Sequence, residues 1–340
     1  MSMFSKRSKL LLVYFCSMAG LSLLNIFFNA IPSRISDNGV DILYTVFSQI
    51  LCMGIIPFVG ALIVRKSEGE GLGKAADRLI TDYRYRQKLP VVCWLLLLPL
   101  AISFYFVTRL FSSITVLLLT LLQYTFPISA GNIYTSPWDL IAQIALTAML
   151  PAVFEEFTHR GLLIDAVQDR GSEASVIVWS GFMFALMHSN ILQFFFAFAG
   201  GCIFAFLVVR SGSIIPAMIL HFTNNALATV SEYASQNRNG VFGVFARIND
   251  FWYSSVLTSL LFGVLLVANM FLFLFLVVRF VKHCPQKEMV KPLTLIRGSV
   301  YVDRFRPDGK PTLRDNVFLY ATIAMTGLMT AATYLWGLLR

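Results

Sequence analysis

Residues 137–161 read PWDLIAQIALTAMLPAVFEEFTHRG. From Leu140 to Phe154 no side chain ionises, and then Glu155, Glu156, His159 and Arg160 follow within six positions. A helix needs about 20 mainly apolar residues to cross a bilayer. The stretch 137–160 reaches that length only by taking the charged residues in with it. Charges within a membrane helix are costly, and where they occur they mark a functional site.

The rest of the chain has the same texture. Of 340 residues, 57% are hydrophobic and 13% charged, and the mean hydropathy is +0.72. Soluble domains carry about 25% charged residues, so lipid has to solvate much of this surface. The 31 phenylalanines suit lipid-facing helices. A membrane β-barrel would alternate polar and apolar residues over segments of about 10; here the apolar runs are continuous. The expected fold class is therefore all-α, a polytopic transmembrane helix bundle of about eight or nine spans.

Nine candidate spans can be placed, at 10–31, 41–64, 91–123, 137–160, 174–189, 191–209, 213–230, 251–280 and 316–339. No soluble domain, repeat or low-complexity tract is found. Three regions follow: 1–89, an N-terminal two-span region with a basic loop; 90–280, the membrane core; and 281–340, a second basic loop and the C-terminal span. Loop 65–89 holds seven Lys/Arg against four Asp/Glu, and loop 281–315 holds eight against four. Basic residues flank cytoplasmic helix ends. Lys6, Arg7 and Lys9, both loops, the stretch Arg160 to Arg170 and Arg210 then share one side, with the N-terminus cytoplasmic and Arg160 near the cytoplasmic face. The opposite loops, such as 124–136, are poor in charge.

Two stretches need separate treatment. The run 10–31 after Lys6, Arg7 and Lys9 is too long for a signal-peptide apolar region and is expected to remain as a signal anchor. The run 91–123 would reach about 50 Å as a straight helix at about 1.5 Å per residue. It reads as one tilted helix with Arg109 snorkelling, or as a span plus a re-entrant piece; two full spans would invert everything downstream, against the charge distribution.

The net charge of +9 is accounted for by the loops, and no nucleic-acid partner is expected. Cys16, Cys52, Cys93, Cys202 and Cys284 show no CxxC spacing and read as small buried hydrophobes.

Three segments hold nearly all the intramembrane polar chemistry: 151–161, 181–188 and 210–225. They contain three of the four histidines. On a helix, residues i and i+4 share a face and adjacent residues point about 100° apart. Glu156 can therefore pair with Arg160, while Glu155 points elsewhere without that partner. His221 and Asn225 share a face of another helix, and His188 comes from a third. Such a set suits hydrolysis, with Glu155 as general base on a water, His188 orienting it, and His221 and Asn225 as donors to an oxyanion. Metal binding is the alternative, with Glu155, His188 and His221 as ligands to a divalent ion such as zinc; no HExxH motif is present. His159 reads as an interfacial or packing histidine, Asn224 as a cap or an interhelical hydrogen bonder, Arg109 as an interfacial snorkeller and Phe194-Phe195-Phe196 as lipid-facing.

Glu155-Glu156-xxx-Arg160-Gly161, Phe184-xxx-His188 and His221-xxx-Asn225, in this order on successive membrane helices, resemble the CPBP family. These are the CAAX prenyl-protease type II and bacteriocin-processing (Abi) intramembrane proteases. The run Arg210-Ser-Gly-Ser-Ile-Ile-Pro-Ala resembles the family's third motif region, and the likeness spans about residues 137–232. It implies a membrane endopeptidase with a cavity open to the cytosol, acting on a membrane-associated protein or peptide of CAAX, pheromone or bacteriocin-like type. It implies Glu155 as base with His188, His221 and Asn225 as the oxyanion site, and Glu156 and Arg160 as the supporting pair. It further implies that no cofactor is required, a metal-dependent mechanism being the older view of the family. A multi-pass protein of a bacterial plasma membrane is expected. Two other uses of the same charges stay open: a transporter or channel path, and a non-catalytic membrane scaffold or immunity protein of the same fold. The broken, paired helices that many transporters show in two halves are not found.

Overall fold

The computed structural model describes residues 5–29, 38–83, 85, 88–126, 134–168, 173–284 and 313–339. Parts of the loops at 124–136 and 281–315, and Arg170, lie outside the described residues. Eleven helices and no strand are found among the described residues. They are α1 (Lys6–Asn29), α2 (38–66), α3 (Leu72–Asp82), α4 (Val91–Leu121), α5 (137–167), α6 (Glu173–Met187), α7 (Ile191–Ser211), α8 (Ile215–Gln236), α9 (Gly240–Tyr253), α10 (Val256–His283) and α11 (Leu313–Leu338). The all-α polytopic bundle is thus the observed architecture.

Seven helices are long and apolar enough to cross a membrane: α1, α2, α4, α5, α7, α10 and α11. The nine expected spans each fall on a helix, but two of those helices differ in kind. Helix α6 has 15 residues, or about 22 Å against a hydrocarbon core of about 30 Å. Helix α8 has the length, at 22 residues, but carries His221, Asn224, Asn225 and Glu232 and falls outside the apolar set. Helices α3 and α9 are short segments between spans.

Helix α4 is continuous over 31 residues, with Pro99 inside it, so the chain does not turn back there. Arg109 gives Nε and Nη2 to its neighbour Tyr105 Oη, at 3.0 and 2.8 Å. Helix α5 opens with Ser136-Pro137, and one oxygen of Asp139 accepts from the backbone N–H of Thr135 and of Ser136, at 2.7 and 2.8 Å. Those donors would otherwise be left unsatisfied at a helix start. Helix α5 also runs on past Arg160 to Val167. Arg160 therefore does not mark a cytoplasmic helix end: it is fully buried, about 10 Å before the end of the helix at about 1.5 Å per residue.

The turn between α7 and α8 explains the Arg-Ser-Gly-Ser run. Gly212 takes φ +65° and gives its N–H to Val208 O, a left-handed helix end that glycine adopts without strain. Ser211 Oγ accepts from Ser213 N at 3.1 Å, and Ser213 Oγ from Ile215 N at 3.3 Å, so this buried turn satisfies its own backbone. Pro216 then sits in the first turn of α8, where its missing N–H costs nothing.

Ion pairs gather one set of helix ends. Arg65, at the end of α2, meets Asp82 at 2.8 Å and Asp165 at 3.5 Å, and Lys6 meets Asp165 at 3.8 Å. Arg210 at the end of α7 meets Glu173 at the start of α6, at 2.6 Å. Arg7 holds Asn316 of α11 at 2.8 Å. The starts of α1, α6 and α11 and the ends of α2, α5 and α7 therefore lie on one side, the side of the basic loops. The five cysteines are free, Cys93 and Cys284 with their sulfurs 3.6 Å apart.

Helices α6 and α7 pack closely because both are bare at the crossing. A Cβ on Gly181 would stand 2.8 Å from Cys202 N, and one on Gly201 would stand 2.8 Å from the Cα of Gly181. Small residues allow such backbone approach in membranes, where packing drives association. Gly181→Val is expected to destabilise the protein by about 1–3 kcal/mol, the range for overpacking. Gly263→Ala, where a Cβ meets nothing within 4 Å, should leave stability unchanged. Thermal unfolding of both variants in detergent measures this.

Candidate active site

Arg160 lies at the centre of the site. Its Nη1 donates to Glu156 Oε1 at 3.1 Å and its Nη2 to Gly201 O at 2.9 Å. The guanidinium carbon lies 4.5 Å from the ring centre of Phe184 and 5.2 Å from that of Phe204. A guanidinium stays charged even when buried, so it draws its compensation from a carboxylate, a carbonyl and two aromatic faces. The expected i, i+4 pair of Glu156 and Arg160 is present, and neither side chain has exposed surface.

His221 joins this cluster from α8. Its Nδ1 donates to the same Glu156 Oε1 at 2.9 Å, and its ring stacks on Phe204 at 5.4 Å. Its Nε2 stands 3.9 Å from Glu155 Oε2, so the ring bridges the two glutamates. Phe184, four residues before His188, is the hub: its ring touches those of His159, His188 and His221 at 5.1–5.7 Å.

Glu155 has a different environment. Its Oε1 accepts from Gln49 Nε2 of α2 at 2.7 Å, and no side-chain or backbone donor among the described residues bonds Oε2. It lines a cavity of about 300 Å³ with His188, Ser22, Ser48, Gln49 and Thr147. His188 gives Nδ1 to Phe184 O at 2.9 Å; in the neutral ring this leaves Nε2 as an acceptor. His159 gives Nδ1 to Glu155 O, also at 2.9 Å, and its Nε2 meets Tyr14 Oη at 3.1 Å. It is fully buried, as a packing histidine should be.

Asn225 Nδ2 donates to Thr147 O at 3.0 Å, and its Oδ1 accepts from Asn224 Nδ2 at 3.0 Å. Asn224 in turn accepts from Thr108 of α4 at 2.6 Å, the interhelical bond expected of it. Of the phenylalanine triplet only Phe195 is exposed; Phe194 and Phe196 pack against the core.

The structure thus brings Glu155, Glu156, Arg160 and His221 into one cluster and His188 to the cavity that Glu155 lines, while Asn225 is held one helix turn along α8. Sequence reasoning missed Gln49, Phe204 and Gly201. Gln49 carried a readable signal, as one of the few strongly polar residues in the run 41–64. Local geometry also departs from the ideal helix. Residues 47–55 of α2 and 144–149 and 157–163 of α5 are π-helical, a form concentrated at functional sites. The two in α5 flank the turn that carries Glu155 and Glu156, and the one in α2 carries Gln49.

A metal ion would need donors aimed at one point. No group of three His, Cys, Asp or Glu side chains among the described residues is so arranged. His221 gives one ring nitrogen to Glu156, and His188 gives one to a backbone carbonyl. Among the described residues, Glu155, His188 and His221 do not form a ligand set.

A comparison with curated proteins and with solved structures found no match. Residues 137–227 match one family model, described as type II CAAX prenyl endopeptidase Rce1-like. That segment is about a quarter of the chain, and it carries all three motifs and all six site residues. Over residues 137–227 the chain is therefore similar to the Rce1-like type II CAAX prenyl endopeptidases, in line with the resemblance its three motifs carry.

Proposed function

We propose that the protein is an intramembrane endopeptidase in which Glu155 activates a water for attack on a peptide bond of a membrane-associated protein or peptide. One observation carries this reading. Two adjacent glutamates have opposite surroundings: Glu156 is taken by Arg160 and His221, while Glu155 keeps one oxygen unbonded in a polar cavity beside His188.

Glu155 takes one proton from the water, and the hydroxide oxygen adds to the peptide carbonyl carbon. The Nε2 of neutral His188 accepts a hydrogen bond from the water's other O–H and so orients it. The carbonyl oxygen carries the negative charge, facing Asn225 and His221, whose Nε2 donates to it in the doubly protonated ring while Nδ1 stays on Glu156. Asn225 serves there once its Nδ2 leaves Thr147 O. The proton on Glu155 then passes to the amide nitrogen as the C–N bond breaks, releasing an acid and an amine. No cofactor takes part. CAAX-type proteins, pheromones and bacteriocin-like peptides are the candidate substrates.

Gln49 acts as a positioning residue. With Oε1 held, Oε2 stays 3.9 Å from His221 Nε2; with the restraint removed, the carboxylate is free to close on that ring and lose its basic oxygen.

Glu155→Gln is expected to reduce cleavage of a membrane-associated peptide by about 10²–10⁴-fold, the usual share of a general base, and His188→Ala should fall in the same range. Cleavage at the wild-type rate in either purified variant overturns the reading. A strong chelator should leave the wild-type rate unchanged.

Gln49→Met, close in volume, should lower kcat by about 10–100-fold with KM little changed, as for loss of a hydrogen bond to a charged group. Gln49→Glu, closer still in shape, should be worse at neutral pH, because it sets a second carboxylate against Glu155. A packing role alone predicts the reverse order.

A further inference from the structure

We propose that Thr108 of α4, outside the matched segment 137–227, is a positioning residue that sets the side-chain amide of Asn225 with its N–H end toward the reacting carbonyl. The catalytic part of this rests on the peptidase reading above; the orientation of the amide does not.

An asparagine amide has nearly the same shape at both ends, one of which accepts while the other donates. Only the donor end can serve an oxyanion, so the neighbours of Asn225 have to decide which way it turns. They form one chain of hydrogen bonds across three helices. Thr108 Oγ1 on α4 stands 2.6 Å from Asn224 Oδ1 on α8. Asn224 Nδ2 stands 3.0 Å from Asn225 Oδ1, and Asn225 Nδ2 stands 3.0 Å from Thr147 O on α5.

The direction of the chain follows from its two ends. Thr147 O is a backbone carbonyl and can only accept, so it takes the Nδ2 end of Asn225. Asn225 Oδ1 then faces Asn224 and needs a donor, which Asn224 supplies with Nδ2. That leaves Asn224 Oδ1 toward α4, where only a donor fits. Thr108 meets that need because a hydroxyl can donate as well as accept.

The hydroxyl has one proton and two acceptors within reach. Tyr105 O, one turn back on α4, stands 2.8 Å from Thr108 Oγ1, and Asn224 Oδ1 stands closer, at 2.6 Å. With the proton toward Asn224, the chain runs as above. With the proton toward Tyr105 O, lone pairs would face each other, and the repulsion is relieved when Asn224 turns over. Asn225 would then receive Oδ1 from Asn224 and present its own Oδ1 to Thr147 O. Thr147 O resists that reversal at rest. It stops resisting when Asn225 Nδ2 leaves it for the substrate. The bond from Thr108 to Asn224 is then what keeps the direction, and a reversed Asn225 would set an oxygen against the developing negative charge. With valine at 108, neither direction is preferred from that end.

Two substitutions separate this role from packing. Thr108→Val keeps the shape and removes the hydroxyl, whereas Thr108→Ser keeps the hydroxyl and removes a methyl group. In cleavage of a membrane-associated peptide, Thr108→Val should lower kcat by about 3–10-fold with KM little changed, the size of one lost hydrogen bond. Thr108→Ser should stay near the wild-type rate; if the contact only packs α4 on α8, serine is the worse of the two. The orientation itself is read by NMR in detergent on protein labelled at asparagine with the heavy nitrogen isotope. The side-chain amide signals missing from Asn225→Ala identify Asn225. Thr108→Val should move them and Thr108→Ser should leave them in place. Should Thr108→Val not fold, Asn224→Leu cuts the chain one bond later and should lower kcat and move the signals in the same way. Unmoved signals, a wild-type kcat in the variant that cuts the chain, or a larger loss in Thr108→Ser overturns the proposal. The amide signals require no activity, and cleavage that does not depend on Glu155 removes the peptidase reading alone, so the two failures are separate results.

Discussion

The buried guanidinium of Arg160 is the constraint on which the rest of the site depends. It cannot shed its proton and has no exposed surface. A lone charge at this depth would be strongly destabilising, and breaking a buried pair by removing one partner costs about 3–5 kcal/mol. Compensation comes from three directions at once: Glu156 on its own helix, Gly201 O and the Phe204 ring on α7, and the Phe184 ring on α6. Those partners come together only if α5, α6 and α7 meet at one level. The bare crossing at Gly181 and Gly201 lets α7 come close enough for its carbonyl to serve.

The same ion pair sets the two glutamates apart. Glu156 Oε1 already receives Arg160 and His221. Glu155, one residue earlier and about 100° around the helix, faces the cavity instead and takes its bond from α2. The stabilising charge and the reactive charge are thus neighbours in sequence with separate surroundings. The N-terminal helices, outside the matched segment, are part of this arrangement: α1 supplies the Tyr14 bond beneath the site and α2 supplies Gln49 above it.

Much of this was legible in the sequence, for reasons that are local. Apolar runs located the helices of the bundle other than the short α3 and α9, because hydrophobic thickness acts on each run by itself. The spacing of Glu156 and Arg160 announced their pair, because i and i+4 meet on any helix. Less legible were α6, too short to cross alone, and Arg160, whose charge looked like a membrane boundary and proved to be interior. The π turns of α2 and α5 carry no clear local signal, and they alter the phase on which face-by-face reasoning rests.

What the sequence alone determined was the membrane class of the protein, the positions of its helices and the set of residues available for chemistry. Those follow from hydropathy and from spacings of a few residues. The tertiary structure decided which of these residues meet. Glu155 and Gln49 are 106 positions apart, Glu156 and His221 are 65 apart, and Arg160 and Gly201 are 41 apart. Bonds across such separations depend on how whole helices cross, and no property of one helix states where another will lie against it.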